Sequence, residues 1–288
     1  MMIYLLHIYL FGRKAASSGS WPAPLKRLSV WKWMRDYFPA QMIRTADLDP
    51  SRPYLFAVHP HGILAQGAWL GFATDATSFP QLYPGVNPHF LTLTPHFRTP
   101  FLREFLLLHG VCDSAKETCV GLLARGQSIV LTVGGARESL YAKPGTVNLV
   151  LERRKGFVKV ALETGASLVP VISFGENDVY DTVLTDPASV WGRIQRYFLT
   201  VWGVTLPDFK GRGIFFMPFV KMQPYAVPMN IVVGAPLHVQ KFEGDIESKE
   251  GKLLVDSVHS QYKKALLDLW EVHKARFLAN PETELRFI

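Results

Sequence analysis

The chain has 288 residues, enough for one large domain or two small ones, and is 48% apolar and only 19% charged. That balance suits a deep core plus some surface that meets lipid. Cys112 and Cys119, seven apart in predicted loop and helix, offer neither a disulfide framework nor a zinc site and make a reducing, cytosol-facing location the default.

The net charge of +7 is concentrated at the front. Residues 1–45 carry Arg13, Lys14, Lys26, Arg27, Lys32, Arg35 and Arg44 against Asp36 alone, leaving the rest nearly neutral. Trp21, Trp31, Trp33, Tyr37 and Phe38 interleave these cations, a pattern that fits an anionic bilayer interface. Nucleic acid is the rival partner of a basic arm, but no stacking platform or recognised motif follows. Residues 25–36 do not separate into two faces of a helical wheel, so 1–45 is read as an interfacial segment ahead of a domain over 46–288. Met1–Phe11 is apolar but about half the roughly 20 residues that span a bilayer, and no positive region precedes it as in a secretory signal.

Tyr54–Val58 reads as a buried strand ending in His-Pro-His-Gly, and Phe90–Leu93 as a second strand. Thr99-Pro100 predicts a helix start, with the helix running to about Leu108 and stopping at Gly110. Ser114 to Glu117 has the spacing of a capping box, opening a helix that Gly126 closes. Ser128–Val133 is a strand ending in Gly134-Gly135; Arg154–Glu163 is a helix with Gly165 beyond it, followed by the strand Ser167–Phe174. Asp186-Pro187 opens a helix toward Thr200, and Asn230–Val233 is another strand. Val255, Val258, Tyr262, Leu266, Leu269 and Phe277 mark one long amphipathic helix over 253–278. Strands alternating with helices predict an α/β layered domain with a largely parallel sheet flanked by helices. Ligands of such sheets gather at the strands' carboxyl ends, where His59, His61, Gly134, Glu138 and Glu176 fall.

His59-Pro60-His61-Gly62 is the sharpest chemical feature. Pro60 biases His59 toward extended backbone and Gly62 permits a turn. A histidine fixed there can take the proton of an attacking hydroxyl. Alternation sends the two rings to opposite sides, so one is the base and the other structural or substrate-orienting. Two ordinary turn histidines, or a His-x-His metal site, are the competing readings. Gly134-Gly135 lets backbone approach a ligand; Glu138 could orient an imidazole and Arg137 could receive a phosphate or carbonyl oxygen, though a plain strand-to-loop turn is the more common explanation of a lone Gly-Gly. Arg154 and Lys155 open a helix and suit phosphates, with a solvated basic turn as the alternative.

In order, Tyr37-Phe38-Pro39, His59 to Gly62, Pro95-His96, Gly134 to Glu138, Arg154 to Glu176, Gly211-Arg212-Gly213-Ile214-Phe215, Val232 to Leu237 and the final helix through His273-Lys274 resemble the diacylglycerol acyltransferase 2 family. The resemblance covers roughly residue 30 to the C-terminus. It implies a glycerolipid-acyltransferase-like fold in an enzyme of the endoplasmic reticulum membrane and lipid droplet surface, using acyl-CoA as co-substrate with no metal and no other cofactor. The implied acceptor is diacylglycerol, with monoacylglycerol and long-chain alcohols behind it; a homo-oligomer is open. Expected catalytic residues are His61 as base with His59 and Glu138, and Glu176 as second choice of carboxylate. Pro60, Gly62, Gly134, Gly135, Arg137, Arg154, Lys155 and Glu176 are expected around the substrates. The wider glycerolipid acyltransferases place Asp five residues after the catalytic His, where this chain has Gln66 counting from His61 and Leu64 counting from His59. Family members carry longer N-termini with one or two spanning segments, so Met1–Phe11 is either the stub of an anchor or an interfacial piece. A non-enzymatic lipid-droplet protein of the same fold and a metal-dependent esterase are the rivals.

Overall fold

Two strands buried along their whole length organise the molecule. The computed structural model describes residues 4, 8, 15–183, 185–186, 188–202, 208–213 and 222–288. Of the sequence features above, most of the run 1–11, Arg13, Lys14, Pro187 and Ile214-Phe215 lie outside the described residues.

The main sheet contains β1 (Gln41–Arg44), β2 (Tyr54–His59), β3 (Pro88–Thr92), β4 (Cys112–Asp113), β5 (Ser128–Thr132), β6 (Ser167–Phe174) and β7 (Asn230–Val233). Their spatial order is β1-β7-β6-β2-β5-β3-β4. β6, β2, β5, β3 and β4 run parallel, while β7 is antiparallel to β6 and carries β1 parallel to itself. The expected α/β domain with a largely parallel sheet is the one that forms. Every residue of β2 and β6 is buried, as parallel strands covered on both faces require, which is why they read as unbroken apolar runs.

Leu55 and Ala57 of β2 join Ile129, Leu168 and Ile172 in one core layer, and Phe56 and Val58 join Val130, Val169 and Val171 in the other. The helices α1 (Val30–Tyr37), α2 (Leu102–Leu108), α3 (Lys116–Ala124), α4 (Gly156–Thr164) and α6 (Lys249–Phe277) accompany this sheet, and α5 spans Val190–Trp202. α3, α4 and α6 cover the first layer; α6 buries Val255, Val258, Tyr262, Leu266 and Leu269 as their spacing predicts. Among the described residues, no helix is long and apolar enough to cross a membrane.

Local details differ from the sequence expectation in three places. Residues 24–27 form a 3-10 turn and 30–37 an α-helix. A single wheel drawn over 25–36 mixes two pitches and hides the faces. Trp31 packs on Trp69 and His109, with ring centroids 5.9 and 5.2 Å apart, whereas Trp33 is 73% exposed. The capping box at Ser114–Glu117 is not made: the helix is capped at Ala115, and the Ser114 N–H that Glu117 would accept donates to the Thr92 carbonyl. The helix expected from Thr99-Pro100 begins at Leu102, after Phe101 at a φ of 65°. The four residues of β1, the end of the basic segment, form the sheet's edge.

Candidate active site

β2 delivers the histidine turn to the carboxyl edge of the sheet, between β6 and β5. His59 is the last residue of β2 and is buried on the α6 side, where its Nε2 lies 3.0 Å from the Tyr262 hydroxyl. That hydroxyl donates to the Ala57 carbonyl at 3.2 Å, so its lone pairs receive the His59 Nε2–H. Burial pushes His59 down to about 3 and keeps it neutral. The His59–Pro60 bond is cis, and Gly62 turns the chain at a φ of 61°. The two rings have different surroundings: His59 packs on Tyr262, and His61 lines a cavity that His59 does not.

His61 lines a cavity of about 510 Å³, within the range of small-molecule pockets. Its Nδ1 lies 3.0 Å from the Gly62 carbonyl oxygen. A carbonyl only accepts, so Nδ1 holds the ring proton and Nε2 keeps its lone pair. Burial lowers the pKa of His61, partly offset by that hydrogen bond. The ring is therefore a neutral base with its tautomer set by the adjacent peptide.

The two expected carboxylates hydrogen-bond to neither ring. Glu138 Oε1 accepts the His61 backbone N–H at 2.6 Å and Oε2 accepts that of Val150 at 2.7 Å. Glu176 accepts the N–H groups of Gln66 and Gly67, each at 2.7 Å, and the Ser173 hydroxyl at 3.1 Å. Burial raises both carboxyls to about 7 against the pull of those donors. Glu138 and Glu176 clamp the histidine turn from its two ends. The packing leaves no room for error: a Cβ on Gly62 would lie 2.6 Å from Glu176 Cγ, and one on Gly134 would lie 2.0 Å from Glu138 Oε2.

Other expected residues divide. Gly135, at a φ of 60°, and Ala136 open a short helical turn on the cavity wall, where first-turn N–H groups have no intrahelical acceptor. Arg154 lines the cavity beside Gly156, the first residue of α4, and its Nη2 reaches the Gly134 carbonyl at 3.4 Å. Lys155 instead pairs with Asp256 at 2.7 Å, and Arg137 is exposed and outside the lining. Pro60 and Glu176 border a separate cavity of about 260 Å³. Sequence reasoning missed the apolar wall of Trp69, Phe90, Leu106 and Phe157. It also gave no role to His96, the second imidazole of the cavity, whose Nδ1 is 2.9 Å from the Thr92 hydroxyl; the Pro95-His96 pair was the available signal. Among the described residues, no three metal-ligating side chains converge.

Comparison with known proteins assigns this arrangement to a family. The profile of the family described as diacylglycerol acyltransferase matches residues 1–288. The chain belongs to the diacylglycerol acyltransferase family. It is 38% identical to diacylglycerol O-acyltransferase 2A of Umbelopsis ramanniana, over 100% of this chain and 81% of that protein. Identity is 42% to diacylglycerol O-acyltransferase 2 of Danio rerio, covering 89% of this chain and 71% of the relative. For the Homo sapiens protein of the same name it is 40%, covering 95% and 69%. Among solved structures, the chain of this acyltransferase family is similar to the 1-acyl-sn-glycerophosphate acyltransferase PlsC of Thermotoga maritima. The TM-score is 0.45 and the identity 12%, over 92% of this chain and 79% of that one.

Proposed function

We propose that the protein transfers the acyl group of an acyl-CoA to the free hydroxyl of diacylglycerol at the endoplasmic reticulum membrane, forming triacylglycerol, with His61 as general base and no metal. Support comes from one observation above all: His61 lines a largely apolar cavity and keeps an unprotonated Nε2 while its other nitrogen is tied to Gly62. Nε2 takes the hydroxyl proton as the acceptor oxygen attacks the thioester carbonyl. The oxyanion that forms is met by N–H groups at Gly135 and Ala136. Collapse breaks the carbon–sulfur bond, and the departing thiolate takes the proton from His61. Among the described residues, no serine or cysteine hydrogen-bonds to His61, so the transfer is direct rather than through an acyl-enzyme.

Arg154 and the N-terminus of α4 supply positive charge for the coenzyme's phosphates. An apolar rim suits an acceptor that arrives from lipid, as at an endoplasmic reticulum or lipid droplet surface. Leu64 on the cavity wall is 58% exposed, and the exposed Phe105 stacks on Trp69 at 5.6 Å.

Microsomes from a host lacking neutral-lipid synthesis, expressing this chain, test the reading with labelled acyl-CoA and a panel of diacylglycerol, monoacylglycerol and long-chain alcohol. Labelled triacylglycerol is expected, unaffected by chelators. His61→Ala lowers its formation about 10²–10⁴-fold with the thermal unfolding curve retained. Full activity in that variant removes His61 from the mechanism.

A further inference from the structure

α5 contributes no residue to the lining of the 510 Å³ cavity. At 100° per residue its side chains sort into three arcs. Gly192 and Gln195 are buried and Leu199 half-buried, so that arc rests on the domain. Val190, Trp191, Ile194, Tyr197 and Phe198 form the next arc, and all are exposed, from 36% at Phe198 to 75% at Val190. Arg193 and Arg196 occupy the third arc, exposed and without an ion-pair partner among the described residues. No acidic residue occurs between 188 and 202.

A contiguous face of five large apolar side chains is unusual for a surface that meets only water. We propose that α5 lies in the plane of an anionic lipid surface, with Trp191, Ile194, Tyr197 and Phe198 sunk to the acyl boundary and Arg193 and Arg196 at the phosphates. Three features favour lipid over a second copy of the chain. Tryptophan and tyrosine place an apolar ring and a polar edge at headgroup depth. The arginines adjoin the apolar arc at its Tyr197 edge, the level at which headgroups flank an in-plane helix. A twofold copy docked on this face would gather four arginines with no carboxylate from either helix. The inference gives the membrane location proposed above a specific anchor, and it holds whether or not His61 is the base.

The test uses the full chain purified in detergent and diluted onto vesicles. Cys112 and Cys119 are both buried, so Ile194→Cys takes an environment-sensitive fluorophore selectively. Its emission is expected to shift to the blue on phosphatidylcholine vesicles containing phosphatidylserine. Replacing Trp191, Tyr197 and Phe198 together by serine lowers vesicle affinity at least about tenfold. Arg193→Gln with Arg196→Gln lowers it several-fold on the anionic vesicles and not on phosphatidylcholine alone. Acyl transfer to diacylglycerol in mixed micelles stays unchanged in each variant, which certifies the fold. If the serine variant loses that activity too, the arginine pair decides alone. A probe at 194 that reports water on bound vesicles overturns the proposal. So does an oligomer that dissociates in the serine variant while vesicle binding persists. Micelles without acyl transfer but with a lipid-buried probe defeat the proposed reaction and leave this inference standing.

Discussion

Glu138 Oε1 accepts the backbone N–H of His61 at 2.6 Å, and no hydrogen bond joins this carboxylate to the imidazole. The base proposed here has no carboxylate hydrogen-bonded to its ring among the described residues. Loss of a carboxylate that orients a catalytic histidine costs about 10⁴ in kcat. A clamp on the backbone should cost far less. Glu138→Gln, which keeps an acceptor oxygen, is expected to reduce kcat by less than about tenfold with the pH profile in place. Glu138→Ala orphans two buried N–H groups and should destabilise the fold by about 2–4 kcal/mol in urea titrations. A ten-thousandfold fall in the glutamine variant would restore Glu138 to the ring.

The pH dependence of kcat/KM follows from the environment of His61. In the proposed mechanism the neutral ring is the base, so rate falls as pH drops through its pKa. Burial lowers that pKa, and the acid limb is expected to have its midpoint below 6.5. A midpoint above 6.5 in rate measurements at saturating lipid would contradict the buried position.

Arg154 and Lys155 are neighbours with different fates. Arg154 lines the cavity, whereas Lys155 is held by Asp256. Arg154→Ala is expected to raise KM for acyl-CoA about tenfold, the scale of a charge-assisted hydrogen bond, with kcat little changed. Lys155→Ala leaves KM for acyl-CoA where it was. Equal effects of the two changes would mean that the coenzyme enters elsewhere.

Glu176 links stability to pH. Its folded pKa of about 7 lies above the ordinary 4.5, so the folded chain holds a proton that the unfolded chain has lost between these values. The stability it lends is full below about 4.5 and declines as pH rises to about 7. The shift corresponds to about 3 kcal/mol. Glu176→Gln is expected to remove that decline, so wild type should lose ground to the variant as pH rises across the window. Parallel curves from chemical denaturation would show that Glu176 is charged throughout.

The fold was legible where chemistry is local. Tyr54–His59 and Ser167–Phe174 are apolar runs bounded by turn residues, and both form central strands. Gly165, at a φ of 75°, ends its helix as expected. Competition from the sheet was not legible. The Ser114 N–H, which the spacing of Ser114 and Glu117 assigns to a capping box, goes to the Thr92 carbonyl of the neighbouring strand. For the site, the Pro and Gly around His61 announced a constrained ring. A sequence separation of 77 residues could not say whether Glu138 meets that ring or the peptide behind it. His96 and Trp69 reach the cavity only through the packing of distant strands and turns.

The Tyr262 hydroxyl, which receives His59 and binds the Ala57 carbonyl, has a bearing on biogenesis. The end of β2 is tied to a residue 203 positions later in the chain, on α6. A nascent polypeptide that has emerged only as far as β7 owns the whole sheet but lacks the phenol that steadies its histidine turn. The histidine turn is therefore steadied only after α6 has emerged and docked against β2.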